Sequence, residues 1–101
     1  MDFAGFDWDS GNRKKCQKHG VSIAEIESLF NRDVNIAPDL QHSNIEERYK
    51  AIGTTDAGRN VLFAFTLRRR GELTLIRPIS ARYMHQKEVA YYEKETSNSH
   101  K

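Results

Sequence analysis

The segment VLFAFTLR, residues 61–68, decides the fold because its side chains alternate between two faces that are both largely apolar. One face carries the larger side chains: Val61, Phe63, Phe65 and Leu67. The opposite face carries smaller ones: Leu62, Ala64 and Thr66. A period of two predicts a β-strand, and a strand with two apolar faces is covered on both sides. We therefore predict that this segment is a central strand of a sheet.

Three further strands are predicted around this segment. Residues 34–37 alternate weakly, residues 47–54 alternate more clearly, and residues 73–81 follow a charged turn that contains Gly71. Short turns between consecutive strands predict an antiparallel four-stranded meander. Pro78 has no N–H group for the strand ladder, which indicates a sheet edge or a β-bulge at that position.

A first helix is predicted near the N-terminus. Asp9 or Ser10 can cap this helix, which is expected to run to about Lys18. Gly20 then stands where the C′ residue of a helix belongs. Residues 3–8 form a short aromatic segment before the helix, and a strand is one interpretation of them.

A second helix begins at the clearest local signal of the sequence. Ser22 and Glu25 have the spacing of a capping box, and apolar residues recur on one helical face behind them. Residues 83–95 have helical spacing again. The predicted fold class is α+β, with N-terminal helices, an antiparallel four-stranded meander sheet and a C-terminal helix that together bury one core.

The chain of 101 residues has the length of a single domain. We place that domain at residues 1–95 and interpret residues 96–101, TSNSHK, as a disordered tail. No apolar run approaches the roughly 18 residues of a membrane span, and the N-terminus lacks the pattern of a secretory signal. The single cysteine, Cys16, excludes an intramolecular disulfide. We expect a cytoplasmic protein that has no membrane partner.

The net charge is only +2, but basic residues are concentrated in one part of the chain. Residues 59–82 contain six arginines and a single acid, Glu72. Such a segment can form a basic surface for an anionic partner such as RNA. It can equally form an ordinary solvated surface of mixed charge, and the charge alone does not separate these interpretations.

A set of short segments that covers most of residues 6–93 carries a resemblance to a known family. The segments are FDWDSGN (6–12), KHGVS (18–22), LF (29–30), EERY (46–49) with IG (52–53), VLFAFTLR (61–68), IRPISAR (76–82) and YYE (91–93). In this order they resemble the BrnT-type toxin family of type II toxin–antitoxin systems, whose fold is similar to that of RelE-like ribonuclease toxins. Pro78 departs from the family pattern, in which many members have an aliphatic residue.

The resemblance implies an activity and a set of partners. The activity would be cleavage of RNA, which blocks translation. A cognate antitoxin of the ribbon-helix-helix type would bind the protein and repress their shared operon, so that operator DNA is contacted only through the antitoxin. A dimer of the toxin within this complex is also compatible with the family.

The chemistry of RNA cleavage defines which residues to look for. RNA carries its own nucleophile, the 2′-hydroxyl, so a ribonuclease can work without a metal or a cofactor, and we expect neither. The reaction needs a base for the 2′-proton, an acid for the leaving 5′-oxygen and cations around the transition state. Asp39 and His42 are interpreted as too isolated in the sequence to form a site.

Four residues are candidates for catalysis. Arg82 ends the last predicted strand, where its guanidinium can bind a phosphate or pair with a glutamate of the C-terminal helix. His19, at the helix junction, can act as an acid or base or can cap a helix. Glu88 and Tyr91 are three residues apart, so they share a helix face and can lie beside Arg82. Tyr91 can equally be a core aromatic or stack on a base.

Four basic residues are candidates for RNA binding. Arg48 and Lys50 lie on the same side of a predicted strand, as a phosphate track or as an ordinary exposed face. Arg68 belongs to the basic segment. Arg77 alternates with apolar neighbours, so it is either an active-site arginine or a structural arginine that needs a carboxylate partner.

Two other functions stay open at this point. The chain could be a non-catalytic module that binds an antitoxin and acts as an operon co-repressor, because the sequence contains no unmistakable acid–base pair. It could also be an interaction domain that only shares the fold.

Overall fold

The computed structural model describes residues 3–42 and 46–98 of the chain. In these residues the strands and α-helices follow one another as β1 (Gly5–Phe6), α1 (Ser10–Gln17), α2 (Ile23–Ser28), β2 (Asn35–Pro38), β3 (Arg48–Thr54), β4 (Asn60–Arg70), β5 (Leu73–Tyr83) and α3 (Gln86–Asn98). Two short 3₁₀ turns, Leu29–Asn31 and Leu40–His42, follow α2 and β2. The α+β class predicted from the sequence is confirmed.

The strands form one sheet in the order β1-β5-β4-β3-β2. The predicted meander of β2 to β5 is antiparallel throughout, and β4 is the central strand. The prediction of four antiparallel strands is nevertheless wrong, because β1 adds a fifth strand that runs parallel to β5. This ladder pairs only Gly5 with Leu75 and Phe6 with Ile76, which is too short to leave an alternating pattern in the sequence.

Pro78 lies at a β-bulge and not on an edge strand, since β5 is paired on both sides. The carbonyls of Thr74 and Ile76 accept hydrogen bonds from Ala4 and Asp7 on the β1 side. Alternate residues of a strand direct their backbone groups to the same neighbouring strand, so Pro78, like Thr74 and Ile76, faces the β1 side. Its missing N–H therefore removes no hydrogen bond from the ladder between β4 and β5. The bulge that follows shifts the register, so that residues 80–83 are aimed differently from the first half of β5.

Two capping boxes fix the N-terminal helices. At α1, the Asp9 carboxylate accepts a hydrogen bond from the Asn12 amide, and the Asn12 side chain accepts one from the Asp9 amide. At α2, Ser22 and Glu25 make the predicted reciprocal pair, with distances of 3.1 and 3.0 Å. Between the helices, Gly20 has a φ of 93°, a conformation that favours glycine and turns the chain sharply.

The core lies on the sheet face that α1, α2 and the 3₁₀ turn Leu29–Asn31 cover. Phe63 and Phe65 are fully buried there, and the ring of Phe30 packs edge-on against both. Cys16 is buried in the same core, and desolvation raises the pKa of its thiol to about 11, so it is held as an unreactive thiol.

The C-terminal helix lies slightly further along the chain than predicted. It begins at Gln86, because β5 continues to Tyr83, and it ends at Asn98. Residues 96–98 of the predicted tail therefore belong to α3, and residues 99–101 lie outside the described residues. No helix in the described ranges is long and apolar enough to cross a membrane.

Candidate functional site

A cavity of about 230 Å³ opens on the sheet face opposite the core. Its floor is apolar and comes from three adjacent strands, since Lys50 pairs with Ala64, and Leu62 pairs with Arg82. Ionisable side chains line the rest of it: His19, Asp39, His42, Arg48, Lys50 and Arg82. The fold thus gathers residues from positions 19 to 82 around one concave site, which we call the cationic pocket.

Arg48 and Lys50 enter the cationic pocket together because they alternate along β3. Their neighbour Ala51 is fully buried on the core side, so residues 48 and 50 face the other side of the sheet. The structure therefore confirms the shared face predicted for this pair. It also places both cations beside Arg82, which the sequence pattern alone does not show.

Arg82 forms a two-pronged ion pair with Glu88 of α3. Its two Nη atoms donate to the two carboxylate oxygens over 2.7 and 2.8 Å. The amide of His85 also donates to this carboxylate over 2.9 Å. The Arg82 hydrogen bond and then the His85 amide hold the pKa of Glu88 well below its usual range, at about 2. The glutamate pair expected as one alternative for Arg82 is therefore present, and Arg82 also lines the cationic pocket.

Asp39 and His42, which the sequence pattern indicates are too isolated to form a site, form a hydrogen-bonded pair. The His42 Nδ1 atom lies 2.8 Å from Asp39 Oδ2 across the 3₁₀ turn Leu40–His42. Asp39 is only 6% exposed, and its other carboxylate oxygen lies 3.9 Å from Lys50 Nζ. The spacing of three residues between Asp39 and His42 is the sequence signal for this contact, because residues three apart eclipse each other on a 3₁₀ turn.

His19 lines the cationic pocket from the junction behind α1. The C-cap of that helix is Lys18, whose amide bonds the Lys15 carbonyl. His19 therefore lies one residue beyond the C-cap position. His19 directly precedes the sharp turn at Gly20, and it is exposed.

Tyr91 is not brought to the cationic pocket. It is 67% exposed and lines a separate apolar groove between α3 and the sheet, together with Ile52 and Met84. Glu88 shares its helix face, as predicted, but Glu88 is turned to Arg82. Arg82 is therefore brought together with the predicted carboxylate, Glu88, but not with the phenol of Tyr91.

Arg68 and Arg77 lie in a second basic group near the β4–β5 turn, together with Arg70. All three contact the largely buried carboxylate of Asp7, and Arg77 also donates to Asp9. The Asn12 amide and then Arg77 lower the pKa of Asp9, and the Asp9 hydrogen bond raises the pKa of Arg77. Arg77 thus has the carboxylate partners that a structural arginine requires. We call Arg68, Arg70, Arg77, Asp7 and Asp9 the hairpin cluster.

Two histidines beside Arg48, Lys50 and Arg82 suit the binding of a phosphodiester more than the binding of a metal. Within the described ranges, no group of three or more His, Cys, Asp or Glu side chains could hold a metal ion. Guanidinium and ammonium groups bind phosphate oxygens, while imidazole transfers protons near neutral pH. The cationic pocket therefore offers both anion binding and acid–base chemistry in one place.

Comparison with known proteins agrees with this chemistry. Residues 8–88 match the family model described as the ribonuclease toxin BrnT of type II toxin–antitoxin systems. The matched range contains every ionisable residue of the cationic pocket and also Glu88, but not Tyr91. A search of the curated proteins finds no match.

Proposed function

Because the chain belongs to the BrnT family of ribonuclease toxins of type II toxin–antitoxin systems, we propose that it is a metal-independent endoribonuclease whose active site is the cationic pocket. The observation that carries this proposal is the convergence of Arg48, Lys50 and Arg82 with two histidines around one cavity. The nucleophile would be the 2′-hydroxyl of the substrate itself, so the protein needs to supply only charge and proton transfer.

The three cations have the function of binding the scissile phosphate and stabilising the charge that develops on it. Arg82 is fixed in direction by Glu88, because two parallel hydrogen bonds allow a guanidinium little freedom. Glu88 is therefore a positioning residue. With a pKa of about 2 it stays ionised at neutral pH, so it is not assigned as the proton donor.

His19 has the function of an acid–base group in the same pocket. Tyr91 has no catalytic function in this proposal, since it lies in another groove. Arg68 and Arg77 are assigned to the stability of the hairpin cluster and not to the substrate, because their guanidinium groups are directed at Asp7 and Asp9.

The biological setting follows from the family. RNA cleavage would block translation and arrest growth in the cytoplasm, and a cognate antitoxin would neutralise the toxin. The finer features of this partner are part of the proposal: a ribbon-helix-helix antitoxin that alone contacts operator DNA, and a toxin dimer within the complex. The mixed sheet with helices at both ends of the chain also supports a RelE-like fold.

The central test is cleavage of single-stranded or ribosome-bound RNA by the purified protein in EDTA. Arg82→Ala is expected to lower the cleavage rate by about 10²- to 10³-fold, as removal of a transition-state donor does in other enzymes. Arg70→Ala is the matched control, because Arg70 is 65% exposed and belongs to the hairpin cluster. A substrate with a 2′-deoxy nucleotide at the cleaved position should resist the wild-type protein. Full cleavage by Arg82→Ala would refute the site.

One observation favours the second candidate, a non-catalytic module that binds an antitoxin and co-represses the operon. Both Nη atoms of Arg82 are engaged by Glu88, so an incoming phosphate must share the guanidinium with a carboxylate. Expression of the chain without an antitoxin separates the two candidates. A ribonuclease toxin arrests growth and degrades RNA, whereas a binding module leaves both growth and RNA unchanged.

A further inference from the structure

The pair of Asp39 and His42 has the geometry of an oriented general base. A buried carboxylate lies 2.8 Å from one ring nitrogen of a histidine whose side chain is 56% exposed and lines the cationic pocket. We propose that His42 is the general base that removes the 2′-proton of the RNA and that Asp39 is its positioning residue. This inference rests on the proposed ribonuclease function and adds to it His42, which the predicted site residues did not include.

The tautomer of His42 follows from the chemistry of its partner. An ionised carboxylate only accepts hydrogen bonds, so Nδ1 of His42 must carry the proton and donate it to Asp39 Oδ2. Nε2 is then left with its lone pair available to take a proton. A carboxylate that fixes the tautomer and stabilises the imidazolium is the arrangement by which histidine acts as a base in other enzymes.

Two further contacts position Asp39 beside His42. The Asp39 amide donates to the Arg48 carbonyl over 2.8 Å, so the turn is fastened to the end of β3. Lys50 Nζ lies 3.9 Å from Oδ1, the carboxylate oxygen that His42 does not contact. The pair is thus linked to two of the proposed phosphate-binding residues, and a phosphate held by them lies in the same cavity as His42.

The proposed step balances without any co-reactant. His42 Nε2 takes the 2′-proton, and the 2′-oxygen attacks the phosphorus. The bond between the phosphorus and the 5′-oxygen breaks, and this oxygen takes a proton from His19 in its protonated form. The products are a 2′,3′-cyclic phosphate and a free 5′-hydroxyl, and proton exchange with solvent restores both histidines.

The test compares His42→Ala with Gln41→Ala under single-turnover conditions in EDTA. Gln41 is the exposed neighbour of His42 on the same 3₁₀ turn and does not line the pocket, so it is the matched control. His42→Ala is expected to lower the cleavage rate by about 10²- to 10⁴-fold, the usual contribution of a general base. Gln41→Ala should cleave at the wild-type rate, and both variants should bind an uncleavable 2′-deoxy strand as tightly as the wild type.

Chemical rescue separates catalysis from a purely structural pairing. Added imidazole should restore cleavage by His42→Ala, because a small base can occupy the vacated space, whereas a misfolded turn gains nothing from it. Asp39→Asn should lower kcat with little change in KM, and its thermal unfolding reports whether the buried site still folds. The proposal is overturned if His42→Ala cleaves at the wild-type rate, or if its loss of activity comes with weaker RNA binding and is not rescued.

Different results would refute the proposed ribonuclease function. If the wild-type protein cleaves no RNA and causes no growth arrest, the ribonuclease itself is refuted, and His42 has no reaction to catalyse. If the wild-type protein cleaves RNA through the 2′-hydroxyl while His42→Ala remains fully active, only the assignment of the base is refuted.

Discussion

The cationic pocket and the hairpin cluster have similar charge but different shape. The cationic pocket has three Arg and Lys side chains and, with Glu88, two carboxylates. The hairpin cluster likewise has three arginines and two carboxylates. In the pocket the cations surround a cavity with an apolar floor and two histidines. In the hairpin cluster all three guanidinium groups are directed at one largely buried aspartate, Asp7.

This difference shows why the density of basic residues does not locate the site. Arg68, Arg70, Arg77 and Arg82 all belong to the basic segment, yet only Arg82 lines the pocket. The acids that balance the other three come from the N-terminal segment, more than 60 residues earlier in the sequence. A site for RNA needs cations that converge on open space, and that property depends on the tertiary fold.

The largest expected difference between the two regions is in RNA cleavage and binding. The double substitution Arg48→Gln with Lys50→Gln should slow cleavage by about 100-fold or more, because two charged contacts to phosphate are lost. The slope of log affinity against log salt concentration should fall by about 0.7 for each cation removed. Rapid-quench cleavage assays and binding titrations at several salt concentrations measure both effects.

The matched control is the same exchange in the hairpin cluster, Arg68→Gln with Arg70→Gln. It removes two positive charges from the chain but none from the pocket, so cleavage and the salt slope should stay close to those of the wild type. Equal losses of cleavage and of salt slope in the two double variants would mean that RNA responds to the overall charge of the protein. The cationic pocket would then not be the RNA-binding site.

The next largest effect should be on stability, and it should come from the hairpin cluster. Asp7→Ala removes the carboxylate shared by Arg68, Arg70 and Arg77 and leaves three like charges close together. We expect a loss of about 1.5–3 kcal/mol in the free energy of unfolding, the range for hydrogen bonds to charged groups. Urea denaturation measures it. The rate of cleavage per folded molecule should not change, and a large fall in that rate would show that the cluster also supports the site.

A smaller effect is expected at the helix junction that carries His19 to the pocket. Gly20→Ala should cost about 1–2 kcal/mol of stability, because an alanine is strained at a φ of 93°. Gly58→Ala is the control, since Gly58 has a φ of 84° in a turn that does not line the pocket. Both variants should unfold more easily, but only Gly20→Ala should also slow cleavage. Equal cleavage by the two variants would argue against a catalytic function of His19.

The sequence predicts features that depend on neighbouring residues. The capping box of Ser22 and Glu25 and the alternation around Phe63 are local, so the helix start and the central strand are confirmed. The parallel strand β1 was missed as part of the sheet because its partner, β5, lies about 70 residues away and the pairing involves only two residues.

The candidate site was predictable to a lesser extent, for the same reason. Arg48 and Lys50 share a face because they are two residues apart, and Arg82 could be assigned to a strand end. Their meeting in one pocket with His42 depends on sheet register and on the turn after β2. Asp39 and His42 are three residues apart, but only a 3₁₀ conformation makes that spacing a contact.

The smallest effect should come from the ion pair between Arg82 and Glu88, because both side chains are more than a third exposed and solvent screens their attraction. The direction in which pH changes the contribution of this ion pair to stability is nevertheless well defined. The Arg82 hydrogen bond and then the His85 amide lower the pKa of Glu88 from 4.5 to about 2 in the folded protein. The folded state therefore prefers the ionised carboxylate more than the unfolded state does, so the pair stabilises the fold above about pH 4.5.

This contribution is lost as the pH falls from about 4.5 through about 2. Wild type should therefore be more stable than Glu88→Gln at pH 6, and the two should converge near pH 2. Urea denaturation of both proteins across this range measures the difference and cancels the titration of every other group. A difference that does not change with pH would mean that Glu88 acts only through its shape. In that case Arg82 would owe its orientation to the strand end and not to the ion pair, and Glu88→Gln should retain full cleavage.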